Sequence, residues 1–181
     1  MKKVSLFVFS AFILLSACIS EQENFNLRME QDKEAILNYI AANTLPDAKE
    51  FKDVPNGFYM FWEVVNPTLD SLMIGDTLYI DYTGKLLNNV VFDTSNDSIA
   101  RANNIHVSQR DYEPLKFIIG QGGLIQGFQF ALSQMKEGEK ATALFPSIFG
   151  YGPSSQGRIP ANSPLVFDLH LVEVRKKPVE E

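Results

Sequence analysis

The sequence predicts an α+β fold: an antiparallel sheet of five to six strands, covered on one face by a short helix and preceded by an N-terminal helical extension. Three observations carry that expectation. From residue 57 onward, segments rich in aromatic and β-branched residues alternate with the period-two pattern of strands. Among them lies a single helical pattern, over 125–135, so no strand–helix–strand alternation calls for a parallel sheet. A second helical pattern, over 29–43, comes before the first strand. The chain has 181 residues, 45% of them hydrophobic and 21% charged, which allows one domain with a packed core and an extension.

Residues 1–17 read as a secretory signal peptide. Lys2 and Lys3 open it, and Val4 to Leu15 is apolar apart from two serines. The stretch is too short to span a bilayer, which takes about 20 apolar residues. It ends Leu15-Ser16-Ala17-Cys18, which resembles the bacterial lipobox, whose cysteine is acylated and becomes the mature N-terminus. Membrane lipid, reached through acylated Cys18, is therefore an expected partner, and the cell envelope the expected location. Several acyl chains on one cysteine hold firmly where one holds marginally. Ile19 follows the cysteine where an aspartate would signal inner-membrane retention in the lipoproteins this resembles, so the outer membrane is expected, on its periplasmic or surface face. The plainer alternative is ordinary cleavage with Cys18 a bystander. Cys18 is the only cysteine, so no disulfide forms within the chain. Loss of residues 1–17 removes two lysines and takes the net charge from -6 to -8, an acidic balance that argues against nucleic acid as a partner.

Residues 18–28 are polar and read as a tether. Residues 29–56 form the N-terminal extension, with a helix over 29–43 in which Ile36, Leu37 and Ile40 lie on one stripe and Tyr39 beside it. Asn43 can close that helix, and Pro46 stops it from running on. It is either a satellite packed on its own domain or a short dimerisation arm. The main domain is expected over 57–176. Strands are predicted over 57–65 and 75–84, then a hairpin over 86–95 turning at Asn88-Asn89, residues that tolerate a left-handed backbone. Residues 115–120 make the next strand. The helix over 125–135 contains Gly127 and ends at Glu137-Gly138, with Gly138 as a left-handed cap. Strands over 140–147 and 164–176 follow, then a tail over 177–181. The stretch from Ser95 to Tyr112 has little periodicity and is long for a loop, so it is either functional or mobile.

The stretch "FIIGQGGLIQGF" (117–128) invites a phosphate-loop reading, which fails. Gly120 and Gly122 fit the dinucleotide pattern, but Ile125 holds its third glycine position and no Lys-Ser/Thr pair follows. The two histidines, His106 and His170, lie at metal-ligand spacing from no other His or Cys, so no metal is expected. His170 sits in an alternating strand near Asp168, on its solvent face. No Gly-x-Ser-x-Gly elbow is present. Asp81 and Asp93 are separated by a hairpin, and nothing selects them as acid and base. No cofactor is expected. What remains is an unusual supply of aromatics, with fourteen Phe, six Tyr and one Trp. Tyr82, Phe92, Phe117, Phe128, Tyr151 and Phe167 lie at strand ends or beside glycines. Core filling is the bland reading. It suits Tyr151 least, because that residue sits in a Gly/Pro/Ser-rich loop.

Three segments, "DYTGKLLNNVVFDTS", "LKFIIGQGGLIQGFQFALSQMKEGEKATALFPSIFGYG" and "IPANSPLVFDLHLVEV", resemble in order and spacing the FKBP-type peptidyl-prolyl cis-trans isomerases. The resemblance covers roughly 57–175. With the lipobox and helix ahead of it, the chain resembles the exported lipoprotein form of the family in bacteria. The resemblance implies a sheet curled around the short helix, with a pocket between them. It places Tyr82, Phe92, Asp93, Phe117, Tyr151, Ile159 and Phe167 in the pocket as catalytic, meaning pocket-forming, residues. It places Leu124 and Ile125 on the rim and Phe128 on the floor as substrate-binding residues. The Ile159 backbone N–H is implied to hold a substrate carbonyl and Tyr151 to donate a second hydrogen bond. Phe128 stands where the family usually has tryptophan. A family arginine often pairs with the aspartate, a role open to Arg101 or Arg110.

The implied function is a membrane-anchored prolyl isomerase that assists the folding of exported proteins. Its partners are then proline-containing polypeptides, with macrolides as inhibitors. The alternative is a binding module or holdase chaperone on the same scaffold with little isomerase activity, since fold alone does not prove function. A structural subunit of an envelope assembly is a third reading.

Overall fold

The computed structural model describes residues 21–67 and 71–178. The expected signal peptide and Cys18 lie outside the described residues. In chain order the elements are α1 (Glu21–Ala42), β1 (Lys49–Asp53), β2 (Phe58–Val64), β3 (Thr77–Leu86), β4 (Val91–Thr94), α2 (Asp97–Ala102), β5 (Leu115–Ile118), α3 (Gln126–Ser133), β6 (Lys140–Phe145) and β7 (Leu165–Arg175). A 3-10 turn at Ser147–Phe149 follows β6. The strands form one antiparallel sheet in the order β1-β2-β6-β7-β3-β4. β5 pairs with the first part of β3 (Thr77–Ile80) and β4 with its second (Thr83–Lys85). Among the described residues no helix is long and apolar enough to cross a membrane.

β2 shows why the sheet is thicker than its sequence pattern suggests. Phe58 to Trp62 are buried at every position. Side chains alternate across a strand, so both faces must be covered. Phe58, Met60 and Trp62 join the large core under α3. Tyr59 and Phe61 join a smaller core with Leu144 and Val166, under Ile36 and Tyr39 of α1. The expectation of one covered face is thus corrected: α1 covers part of the other.

α1 also starts earlier than expected, because the tether expected over 18–28 is helical from Glu21 onward. Residues 22–27 are exposed all round, so the sequence there carries no apolar stripe to betray a helix. The buried stripe that does exist is Asp32, Ile36 and Tyr39, whereas Leu37 faces solvent. β1 was not anticipated. It is an edge strand, paired only with β2, and only partly buried. α2 was not anticipated either. Asn96 caps it, accepting from the Ile99 N–H at 3.2 Å.

α3 lies on the sheet through Gly127, where a Cβ would stand 2.4 Å from the Phe145 ring. The helix ends at Gln134, not at Gly138. Gly138, with φ +80°, instead shapes the turn into β6 and donates to the Leu171 carbonyl at 2.7 Å. Next to it Glu139 is 1% exposed. A carboxylate so buried needs donors, and it accepts from Trp62 Nε1 (2.9 Å), the Asn66 N–H (3.0 Å) and the Lys136 N–H (3.0 Å). That network ties the end of α3 to β2 and β6.

Candidate functional site

Between α3 and the sheet lies a cavity of about 160 Å³ lined by Tyr82, Phe92, Asp93, Leu115, Gly123, Leu124, Ile125, Phe128, Tyr151 and Phe167. It adjoins a hollow of about 250 Å³ that shares Phe92, Asp93 and Tyr151 and adds Gln156, Gly157, Arg158 and Ile159. β3 supplies Tyr82, β4 supplies Phe92 and Asp93, and β7 supplies Phe167. The turn at Gly120–Gly123, with φ +88° and +113° at its two ends, delivers Leu124, Ile125 and then Phe128. One expected residue is not there. Phe117 is buried in the core instead, and Leu115, two residues earlier on the same strand face, lines the cavity. A separate hollow of about 250 Å³ opens behind α3, lined by Phe58, Gln126, Phe130 and Phe149 among others, and none of the expected site residues reaches it.

The floor is an edge-to-face aromatic cage. Phe128 meets Phe167 at 5.0 Å and 83°, Tyr82 meets Phe128 at 5.8 Å and 88°, and Phe92 meets Phe167 at 5.6 Å and 81°. These are the orientations that ring quadrupoles favour. Gly84 makes the cage possible, since a Cβ there would stand 2.5 Å from the Phe92 ring and 2.9 Å from Phe167.

One wall is polar and tightly paired. The Tyr82 hydroxyl donates to Asp93 Oδ2 at 2.6 Å. Arg110 donates from Nη1 to Asp93 Oδ1 at 2.5 Å and from Nη2 to the Tyr82 oxygen at 3.0 Å. The Thr94 N–H also donates to Asp93 Oδ1, at 2.9 Å. The choice left open between two arginines is settled in favour of Arg110, since Arg101 pairs with Asp97 at 2.9 Å. Burial, reinforced by the hydrogen bond to Asp93, pushes the Tyr82 phenol up to about 12. Burial, then the Asp93 charge, also raises the Tyr151 phenol. Both therefore stay protonated near neutral pH. They differ in availability. Tyr82 already donates to Asp93, whereas no hydrogen bond among the described residues engages the Tyr151 hydroxyl.

The loop beyond Tyr151 departs from what the resemblance implies. The Ile159 N–H donates to the Gln156 carbonyl at 2.8 Å, and the Gln156 N–H donates back to Ile159 at 2.9 Å. The amide implied to hold a substrate carbonyl is thus paired internally in this conformation. Arg158 braces the loop by donating from Nη2 to the Asn104 carbonyl at 2.8 Å. The 95–112 segment is folded around α2. His106 lies 3.1 Å from Asp97 and stacks on Tyr112 with centroids 5.4 Å apart. Arg110 also lies over the Tyr112 ring, at 5.2 Å from its centroid. His170, paired across the sheet with Asp81 and Lys140, is only partly exposed and does not line the aromatic cavity.

The arrangement has an apolar floor, one phenol without a partner and no carboxylate placed as a base. Among the described residues no group of three or more His, Cys, Asp or Glu side chains is placed to hold a metal ion. Such a site can desolvate a small apolar ring and hold a neighbouring carbonyl. It has no evident means of proton transfer, because Asp93 is shared by Tyr82 and Arg110.

Comparison with known proteins agrees with this geometry. The family model for FKBP-type peptidyl-prolyl cis-trans isomerase matches residues 70–172. The chain is 41% identical over 78 residues to a short-type peptidyl-prolyl cis-trans isomerase of Methanocaldococcus jannaschii, covering 43% of this chain and 49% of that protein. It is 38% identical over 101 residues to FK506-binding protein 2 of Dictyostelium discoideum, covering 55% of this chain and 66% of that one. It is 37% identical over 101 residues to FK506-binding protein 1 of Saccharomyces cerevisiae, covering 55% and 77%. The match thus spans about half of the first of these relatives and more of the other two. Among solved structures, a peptidyl-prolyl cis-trans isomerase from Pseudomonas syringae pv. tomato superposes with a TM-score of 0.57 at 22% identity, covering 83% of this chain and 96% of that one, which shows a shared fold. FkpA from Escherichia coli superposes with a TM-score of 0.57 at 25% identity, covering 87% of this chain and 65% of that one.

Proposed function

The chain belongs to the FKBP-type peptidyl-prolyl cis-trans isomerases, and from that premise we propose that its aromatic cavity catalyses rotation about X-Pro bonds in polypeptide substrates. The observation that carries the reading is an apolar aromatic cage with one unengaged phenol, Tyr151, at its edge. The uncatalysed reaction crosses a barrier of about 18–20 kcal/mol, set by amide resonance, and takes about 10–100 s. In the twisted transition state the nitrogen lone pair is no longer conjugated with the carbonyl, and charge separation falls. A site that excludes water favours that form over the planar, more dipolar one, which is differential transition-state binding. The proline ring sits on Phe128 and Phe167, between Tyr82 and Phe92. Tyr151 donates to the carbonyl of the substrate, and the Tyr82–Asp93–Arg110 cluster keeps the wall fixed. No proton moves.

Relaxation of a short X-Pro peptide from cis to trans, followed with the full chain, tests this. Catalysis is expected, blocked by a macrolide of the class named in the FK506-binding relatives. Tyr151→Phe removes one hydrogen bond, so kcat/KM falls about two- to tenfold. A folded protein that leaves the uncatalysed rate unchanged overturns the reading. It then favours a binding module or holdase, to which the internally paired Ile159 amide also inclines.

The finer part of the proposal concerns place. We propose that Cys18 is acylated, that the protein is held at the outer membrane, and that its substrates are exported proteins. The support is the Leu-Ser-Ala-Cys pattern after an apolar run. Labelled palmitate incorporated by the wild type and lost in Cys18→Ser is the expected result; an unlabelled wild type overturns it.

A further inference from the structure

α1 lies outside the residues that the family model matches, yet two of its side chains bond to the segments that lead into two walls of the cavity. Asp32 is 3% exposed. Its Oδ2 accepts from the Ser147 backbone N–H at 2.8 Å and from the Ser147 hydroxyl at 2.5 Å. The Ser147 carbonyl in turn accepts from the N–H of Gly150 at 2.9 Å and of Gly152 at 2.8 Å. Those two glycines flank Tyr151. One buried carboxylate on α1 therefore fixes the backbone on both sides of the phenol that faces the cavity.

Two turns along the same stripe, the Tyr39 hydroxyl donates to Asn89 Oδ1 at 2.7 Å. Asn89, with φ +63°, is the left-handed residue that turns β3 into β4. β4 carries Phe92 and Asp93, the opposite wall. A helix that served only to cover the sheet would need nothing but apolar side chains facing inward, as Ile36 is. Instead Ile36 is bracketed by two polar side chains, each bonded to a segment that leads into the site.

We propose that α1 is a splint that sets the separation of the two walls. Asp32 is a positioning residue that acts through Tyr151, and Tyr39 is its counterpart for the Phe92–Asp93 wall. The kinetic part of the test rests on the isomerase reading above, and the exchange part does not.

The experiment is a double-mutant cycle in the full chain, joined to amide hydrogen exchange. Asp32→Ala, read where circular dichroism shows it folded, is expected to lower kcat/KM about fivefold, with partial recovery in Asp32→Asn, which keeps an acceptor for the Ser147 amide. On a Tyr151→Phe background the same change is expected to add less than about twofold, because the two side chains act as one unit. Where the wild type is active, an equal loss on both backgrounds, or none on either, overturns the proposal. Exchange at the Gly150 and Gly152 amides is expected to speed up about tenfold in Asp32→Ala and to hold its wild-type rate in Ile36→Val. Unchanged exchange in Asp32→Ala overturns the proposal whatever the turnover. If the wild type proves inactive while exchange responds as expected, the isomerase reading falls and the splint stands. Should Asp32→Ala not fold, Tyr39→Phe decides. It removes one hydroxyl and is expected to speed exchange at the Asn89 amide several-fold, and wild-type exchange there overturns the proposal.

Discussion

The face of the sheet under α3 and the face under α1 are built from the same strands, alternate residue by alternate residue, and only the first opens into a cavity lined by the family's residues. On β2, Phe58, Met60 and Trp62 go to one and Tyr59 and Phe61 to the other. The helices differ in length. α3 has 8 residues and α1 has 22. At about 1.5 Å per residue these are about 12 Å and 33 Å long, against about 24 Å for six successive strands spaced at about 4.8 Å. The short helix leaves part of its face uncovered, and there Tyr82, Phe92 and Phe167 line a cavity instead of closing a core. The long helix packs Ile36 and Tyr39 against its face and is linked to the site by polar bonds, at the ends of its buried stripe, to segments that lead into it. Binding surface arises where covering stops, and rigidity where it continues.

The comparison can be broken most decisively at Ile36, which is fully buried under α1. Ile36→Ala is expected to cost about 2–5 kcal/mol of unfolding free energy in urea. One transition with an unchanged slope is expected as well, since two cores that share β2 should unfold together. A split curve would mean that α1 and its face form a separate unit, and that the two faces are not alternatives within one core.

The matching test on the other face is Gly127→Ala. The new Cβ would meet the Phe145 ring at 2.4–2.6 Å, and Phe145 is fully buried and stacked on Phe58 and Phe167. Overpacking costs about 1–3 kcal/mol, against a gain of about 1 kcal/mol in helix propensity. A net loss of stability is expected. A lower kcat/KM is expected with it, because the next residue, Phe128, is carried off Phe167. A more stable variant would show that α3 has slack on this face.

How far the sequence discloses each face follows from the kind of signal each uses. Tyr82, Phe92 and Phe167 are legible as strand residues because alternation assigns them a face, whereas Phe128 in α3 and Tyr151 in a loop stand out only as aromatics beside glycines, and it is the family resemblance that places all five in the pocket. Alternation could not separate Phe117 from Leu115, which share a face of β5. Which of them reaches the cavity depends on position along the strand, not on period. Arg110 could not be told from Arg101, because the segment that carries both has no period and its ion pairs close only in space. Asp32 was illegible for the same reason. A charge in a helical pattern reads as a solvated face, and its partner Ser147 lies 115 residues away. The Gln156–Ile159 pairing is a loop bridge with no side-chain signature at all.

The smallest expected effect concerns the polar wall that stands between the two faces' contributions. Tyr82 titrates at about 12 in the folded protein, chiefly through burial and then the hydrogen bond to Asp93. A free tyrosine titrates near 10. The folded state therefore holds this proton over a range of pH in which the unfolded chain has lost it. Stability falls with pH wherever the native state binds more protons. The contribution of Tyr82 is thus fully present below about pH 10 and is lost as pH rises toward about 12. Tyr82→Phe lowers stability at every pH by removing the bond to Asp93, so the slope and not the level is diagnostic. Melting temperature measured from about pH 9 to 12 is expected to fall less steeply in the variant. Some slope remains, because burial also raises the phenols of Tyr39, on the α1 face, and Tyr151, at the cavity. Equal slopes in variant and wild type would mean that solvent reaches the Tyr82 hydroxyl, and that the wall is looser than its hydrogen bonds imply.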